Sequence, residues 1–83
     1  MTNTVLKTNV KTPMIRFEFN LRKGCLQNLY MDIEQTGHKY ELRYGVFHGG
    51  VAHAEIIAQD DAANDFKELL TKYGIRYELG RVL

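Results

Sequence analysis

The stretch Ile15–Glu34, IRFEFNLRKGCLQNLYMDIE, decides the fold. Ile15, Phe17, Phe19 and Leu21 alternate with Arg16, Glu18 and Asn20, the two-residue period of a strand with one face in a core and the other in water. Past Gly24, Leu29, Met31 and Ile33 alternate with Asn28, Tyr30, Asp32 and Glu34, so the same period predicts a second strand. Gly24 falls in the break, and a loop over Arg22–Leu26 places Phe19 opposite Leu29 and Phe17 opposite Met31. The stretch therefore reads as a hairpin.

The period of two continues outward. Tyr40, Leu42, Tyr44 and Val46 alternate with Lys39, Glu41 and Arg43, and Ala52, Ala54, Ile56 and Ala58 with His53, Glu55 and Ile57. Gly37 and the pair Gly49-Gly50 mark the turns. Because facing residues must agree on which side is the core, a three-residue His48–Gly50 loop pairs Val46 with Ala52, Tyr44 with Ala54 and Leu42 with Ile56. A Thr36-Gly37 turn pairs Ile33 with Tyr40 and Met31 with Leu42. This register sets Arg16 against Asp32, Glu34 against Lys39, and Tyr30 and Glu55 against Arg43 on the outer face, with Phe47 facing Val51 across the last turn.

After Gln59 the period changes to 3.6. Ala62, Ala63, Phe66, Leu69, Leu70 and Tyr73 form one helical stripe, with Asp60 or Asp61 as cap, Lys72 at the other end and Gly74 as the left-handed stop. Ile75, Tyr77 and Leu79 then alternate as a last strand, lying antiparallel beside the first strand or parallel beside the fourth. No internal repeat and no low-complexity segment is apparent. The expected architecture is α+β in two layers: an antiparallel sheet of about five strands, order ββββαβ, with one helix on one face. Residues 1–13, rich in Thr and Asn and ending at Pro13, read as a tail or weak edge strand that adds a sixth; residues 14–83 read as a single domain.

Composition narrows the function classes. The chain has 83 residues, 45% hydrophobic and 25% charged, with a net charge of +1. No apolar run approaches the roughly 18 residues of a membrane span, no apolar leader segment opens the chain, and the single Cys25 offers no intrachain disulfide, so a cytoplasmic location is expected. Lys7, Lys11, Arg16, Arg22 and Lys23 face only Glu18 among the first 31 residues, whereas the remainder is acidic.

Chemistry-bearing constellations are sparse. His48 and His53 bracket the glycine turn and His38 closes the preceding one, but no third ligand converges on them, so no metal is expected. Asp32 and Glu41 share the outer face as a like-charge pair that Arg16 relieves, and Cys25 has basic neighbours but no base. No phosphate-loop pattern surrounds Gly49-Gly50. Neither a catalytic residue nor a cofactor is expected.

What remains is a sheet face with no helix to cover it. The sequence reading is a non-enzymatic protein–protein interaction module, of the kind by which small phage or mobile-element inhibitors and immunity proteins occupy a surface of a larger protein. Its contact residues are Tyr30, Arg43, Phe47, Val51, His53 and Ile57, with Arg22 and Lys23 as a basic rim. Self-association through the open face or an edge strand belongs to the same reading. The alternative is a single-stranded nucleic-acid binder that stacks bases on Tyr30 and Phe47 beside Arg16, Arg22, Lys23 and Arg43, opposed by the carboxylates on that face. A more distant alternative is a small enzyme dependent on His38, His48, His53 or Cys25.

Overall fold

The computed structural model describes residues 13–82. β1 spans Met14–Arg22 and leads through a 3₁₀ turn, Lys23–Cys25, into α1, Leu26–Gln35. β2 (Tyr40–Tyr44) and β3 (Val51–Gln59) follow; a second 3₁₀ turn, Asp60–Ala62, opens α2 (Ala63–Lys72), and β4 is Tyr77–Val82. The sheet order is β2-β3-β1-β4, with every neighbouring pair antiparallel. This is the split βαβ, or ferredoxin-like, arrangement βαββαβ. Apart from Pro13, the tail expected over residues 1–13 lies outside the described residues.

The α+β class and the two layers hold, but the expected count of five strands and one helix becomes four strands and two helices. The segment read as the second strand is α1. Its alternation was a coincidence of Leu29, Met31 and Ile33; the side chains that enter the core are Leu29 and Ile33, one helical turn apart and fully buried, with Leu26 packing beside them. Met31 is 50% exposed. Leu, Gln, Met and Glu dominate the segment and Ile33 is its one β-branched residue, a composition that favours helix when periodicity is ambiguous.

Every pairing drawn through that strand therefore falls: Phe17–Met31, Phe19–Leu29, Ile33–Tyr40, Met31–Leu42, Arg16–Asp32, Glu34–Lys39 and Tyr30–Arg43. β1 pairs instead with β3, Phe17 opposite Ile56 and Phe19 opposite Ala54, and on its other side with β4, Phe17 opposite Leu79. The last strand thus lies antiparallel beside the first.

Within β2 the second hairpin keeps the expected register, Tyr44 facing Ala54, Leu42 facing Ile56 and Arg43 facing Glu55, but Val46, expected opposite Ala52, lies beyond the strand and is 75% exposed. Its turn is tighter than expected. His48 and Val51 exchange backbone hydrogen bonds of 2.9 and 3.1 Å around Gly49 and Gly50, both at positive φ, a two-residue turn that only such backbones close comfortably. One extra residue between Gly45 and His48 absorbs the difference, so the strand register survives. Val51 consequently faces His48 and not Phe47.

Both helices lie on one face, since Leu29 and Ile33 of α1 and Phe66 and Leu70 of α2 join one core cluster with Ile15, Phe17, Phe19 and Leu21 of β1 and Ala54, Ile56 and Ala58 of β3. The small alanines of β3 let the helices sit close, and each large side chain removed from water contributes about 1.5–3 kcal/mol. α2 starts without a side-chain cap bond; Asp60 and Asp61 act instead as acids in its opening turn. Its end is a Schellman motif: Gly74, at φ 69°, donates to the Thr71 carbonyl (2.9 Å) and Ile75 to that of Leu70 (2.8 Å).

The second half of the chain repeats the first at a constant offset of 37 residues: Met14 to Val51, Leu26 to Ala63, Tyr40 to Tyr77. Buried Leu29 and Ile33 recur as Phe66 and Leu70, left-handed Gly37 as Gly74, and Lys39-Tyr40-Glu41-Leu42 as Arg76-Tyr77-Glu78-Leu79. This corrects the expectation that the chain lacks an internal repeat.

Candidate functional site

The face of the sheet turned away from the helices is built by the even residues of β1 and the odd residues of β3 and β2. Register places Arg43, Glu55, Glu18 and Glu78 in one row across all four strands, and Glu41, Ile57, Arg16 and Gly80 in the next. Three carboxylates in a row would repel, and arginines offset most of it. Arg16 lies 3.6 Å from Glu18 and 3.8 Å from Glu55, and Arg43 lies 3.4 Å from Glu55 and 3.0 Å from Glu41. Glu41, then Glu55, hold the Arg43 guanidinium above its ordinary pKa.

Of the expected contact residues, Arg43, Val51, His53 and Ile57 lie on this face, Arg22 at its end and Lys23 in the exposed 3₁₀ turn beyond it. Two do not. Tyr30 sits on the outer surface of α1, 47% exposed, its ring edge-on to Tyr40 at 6.5 Å. Phe47 packs against the core from the β2–β3 connection, 5.6 Å from Tyr44. Tyr30 is moved by the helix that replaces the second strand, Phe47 by the extra residue before His48. The open face therefore carries none of the described Phe or Tyr rings: Phe17, Phe19 and Tyr77 all point inward.

Asp32 also leaves the face, so its expected pairing with Glu41 is replaced. On α1 it accepts hydrogen bonds from Tyr73 Oη at 2.6 Å and Lys72 Nζ at 3.4 Å, joining the two helices. The tyrosine bond, above all, holds the Asp32 carboxyl below its usual value, and the same bond pushes the Tyr73 phenol up to about 12. Glu34 accepts from the Tyr40 hydroxyl at 2.5 Å; burial first, then Glu34, raise that phenol.

The histidines are dispersed. His38 Nε2 lies 2.8 Å from Asp65 Oδ2 with its ring edge-on to Phe66, an arrangement that ties the α1–β2 connection to α2. His48 is in the turn and His53 on the open face. Among the described residues no three His, Cys, Asp or Glu side chains converge as a metal site would require. Among the described residues no helix is long and apolar enough to cross a membrane.

Two of the surface depressions border the residues described above. One, about 500 Å³, opens beside Asn20, His53, Arg76 and Glu78 at the end of the open face. The other, about 580 Å³, runs between α1 and the free edge of β2, lined by Leu26, Tyr30, Tyr40, Leu42 and Tyr44. Sequence reasoning missed Glu78 and this groove, since both depend on the interleaving of the two halves. The recurring Gly-x-Lys/Arg-Tyr-Glu-Leu at 37–42 and 74–79 is the signal that would have revealed it.

Fold and surface together define a small two-layer α+β unit, one sheet face of which no described helix covers. No protein-family model matches the chain, and no curated protein matches it. Among solved structures it is similar to a de novo designed protein, Foldit4, with a TM-score of 0.50 and 6% sequence identity, over 88% of this chain and 98% of that one. At that identity the likeness is one of fold alone.

Proposed function

We propose that this chain is a non-enzymatic protein-binding module that acts in the cytoplasm by laying its open sheet face against a larger protein, in the manner of a small stoichiometric inhibitor or adaptor of phage or mobile-element origin. The observation that carries the reading is the asymmetry of the sheet: both helices cover one face, and the other presents Val51, His53 and Ile57 among arginines and glutamates. Three of the four carboxylates framing these apolar side chains, Glu18, Glu41 and Glu55, are already paired with Arg16 or Arg43, which lowers the cost of covering them with a protein surface. Arg43 and Arg16, each held by carboxylates, are pre-ordered to hydrogen-bond a partner, and Arg22 and Lys23 form the rim.

The nucleic-acid reading loses its main support, because the face lacks a described aromatic ring for stacking and carries Glu18, Glu41, Glu55 and Glu78. The test compares wild type with Val51→Ser/Ile57→Ser in a tagged pull-down from host lysate, with and without nuclease. A near-stoichiometric protein that survives nuclease and is lost with the folded double variant supports the reading. Capture that is indifferent to the variant, or that disappears with nuclease, overturns it.

A further inference from the structure

β2 is an edge strand whose five residues, Tyr40-Glu41-Leu42-Arg43-Tyr44, read as a self-complementary sequence about Leu42. Turned through two-fold symmetry onto a copy of itself, it sets Tyr40 opposite Tyr44, Leu42 opposite Leu42, and each Glu41 opposite the Arg43 of the copy. The backbone has the matching phase. Gly45 N–H bonds the carbonyl of His53, its partner in the register, at 3.1 Å, so Arg43 and Glu41, two and four residues back, also spend their N–H and C=O groups on β3. Those of Tyr40, Leu42 and Tyr44 are left pointing off the sheet, as an antiparallel pair centred on Leu42 needs.

We infer that the β2 edge pairs with the β2 edge of a second copy of this chain, giving a two-fold dimer with one continuous eight-stranded antiparallel sheet. Leu42 exchanges both backbone bonds with its counterpart, and so do Tyr40 and Tyr44 with theirs. The Glu41–Arg43 pairs then occupy the positions between hydrogen-bonded pairs, where side chains approach most closely. On the helix side, Tyr40, Leu42 and Tyr44 of the two copies meet over the grooves beside α1, with the exposed Tyr30 and the partly buried Leu26 as flanks. Glu41 and Arg43, which pair with each other at 3.0 Å within the strand, are each more than half exposed, so that pair can be exchanged for the same pair across the two-fold. The strand contains neither Lys nor Pro, and its two charged side chains, Glu41 and Arg43, are complementary about the two-fold.

The other edge makes a contrast. β4 repeats Tyr-Glu-Leu but continues with Gly80, so the same symmetry about Leu79 would leave Glu78 facing a glycine. A five-residue strand pair with helical flanks is a small interface, so the association is of the weak, concentration-dependent class. It shares Arg43 with the partner-binding face, but it is read as oligomeric state and not as capture of another protein, so failure of one reading is distinguishable from failure of the other.

Sedimentation equilibrium of the full chain over a wide concentration range tests it, with circular dichroism verifying that each variant is folded. Wild type is expected to dimerise. Glu41→Arg alone opposes Arg to Arg, and Arg43→Glu alone opposes Glu to Glu, so each should weaken the dimer by about tenfold or more. An equimolar mixture of the two variants restores both pairs and should regain association as a heterodimer. A wild type that stays monomeric overturns the proposal, whether or not the edge takes up some other extended peptide. So does a dimer that neither variant weakens, or two folded variants whose mixture fails to recover.

Discussion

Ile15, Phe17, Phe19 and Leu21 of β1 are at most 4% exposed, while Arg16, Asn20 and Arg22, on the same strand, are exposed. The inner set meets Phe66, Leu70, Leu29 and Ile33 across a dry layer; the outer set meets charges and water. Each inner side chain is fixed by several neighbours at once, so a change there is felt as stability. Each outer side chain is held by at most a few exposed ion pairs, worth little individually, so a change there is free to be felt as recognition.

The largest expected effect tests that contrast directly. Phe17→Ala, which removes a fully buried ring packed edge-on to Phe66 and Tyr77, should cost about 3–5 kcal/mol in urea unfolding. Ile57→Ala, on the outer face of β3, should cost less than about 1 kcal/mol. Equal losses would break the comparison.

The next effect sharpens it within the helix layer. Ile33→Ala should cost about 2–5 kcal/mol and Met31→Ala no more than about 0.5 kcal/mol, because α1 buries the first and exposes the second. A strand would have buried both, so equal costs would argue against α1.

The smallest effect concerns the clasp between the helices. Asp32 is more acidic in the folded chain than its ordinary 3.8 because Tyr73 donates to it, so its contribution is present above that value and lost as pH falls through the lowered one. Tyr73→Phe should therefore be less stable than wild type at neutral pH, with the difference fading in acid denaturation below pH 3.8. A difference that persists or grows in acid would mean the hydroxyl acts through something other than the carboxylate.

Much of this layout was legible. β1, α2 and β4 announce themselves because each combines a clean period with punctuation, Pro13 before β1 and Gly74 between α2 and β4. The β2–β3 register was legible because Leu42, Ile56, Tyr44 and Ala54 must share a side and the Gly49-Gly50 pair fixes where the chain turns. α1 was not, because apolar residues at positions 29, 31 and 33 satisfy a period of two while 26, 29 and 33 satisfy one of 3.6, and local pattern alone does not arbitrate. What arbitrates is area: one ten-residue helix does not cover a four-stranded face, a constraint visible only once the sheet is assembled. Two of the eight expected contact residues left the face, one of them with α1. Arg43, Val51, His53 and Ile57 sit on β2 and β3 and stayed in place, whereas Tyr30 moved with the helix and Phe47 with the extra residue of the turn.

The 37-residue periodicity also means that chain order is not what holds these strands together. Met14 at the start of β1 lies opposite Val82 at the end of β4, while the two halves are joined covalently at the His48–Val51 turn. A permuted chain that enters at Val51, runs through β4, and is spliced by a short linker to Met14 would leave every strand pair across the sheet in place. In that sense the fold is a closed circle of two equivalent arcs, with the opening at one seam and not the other.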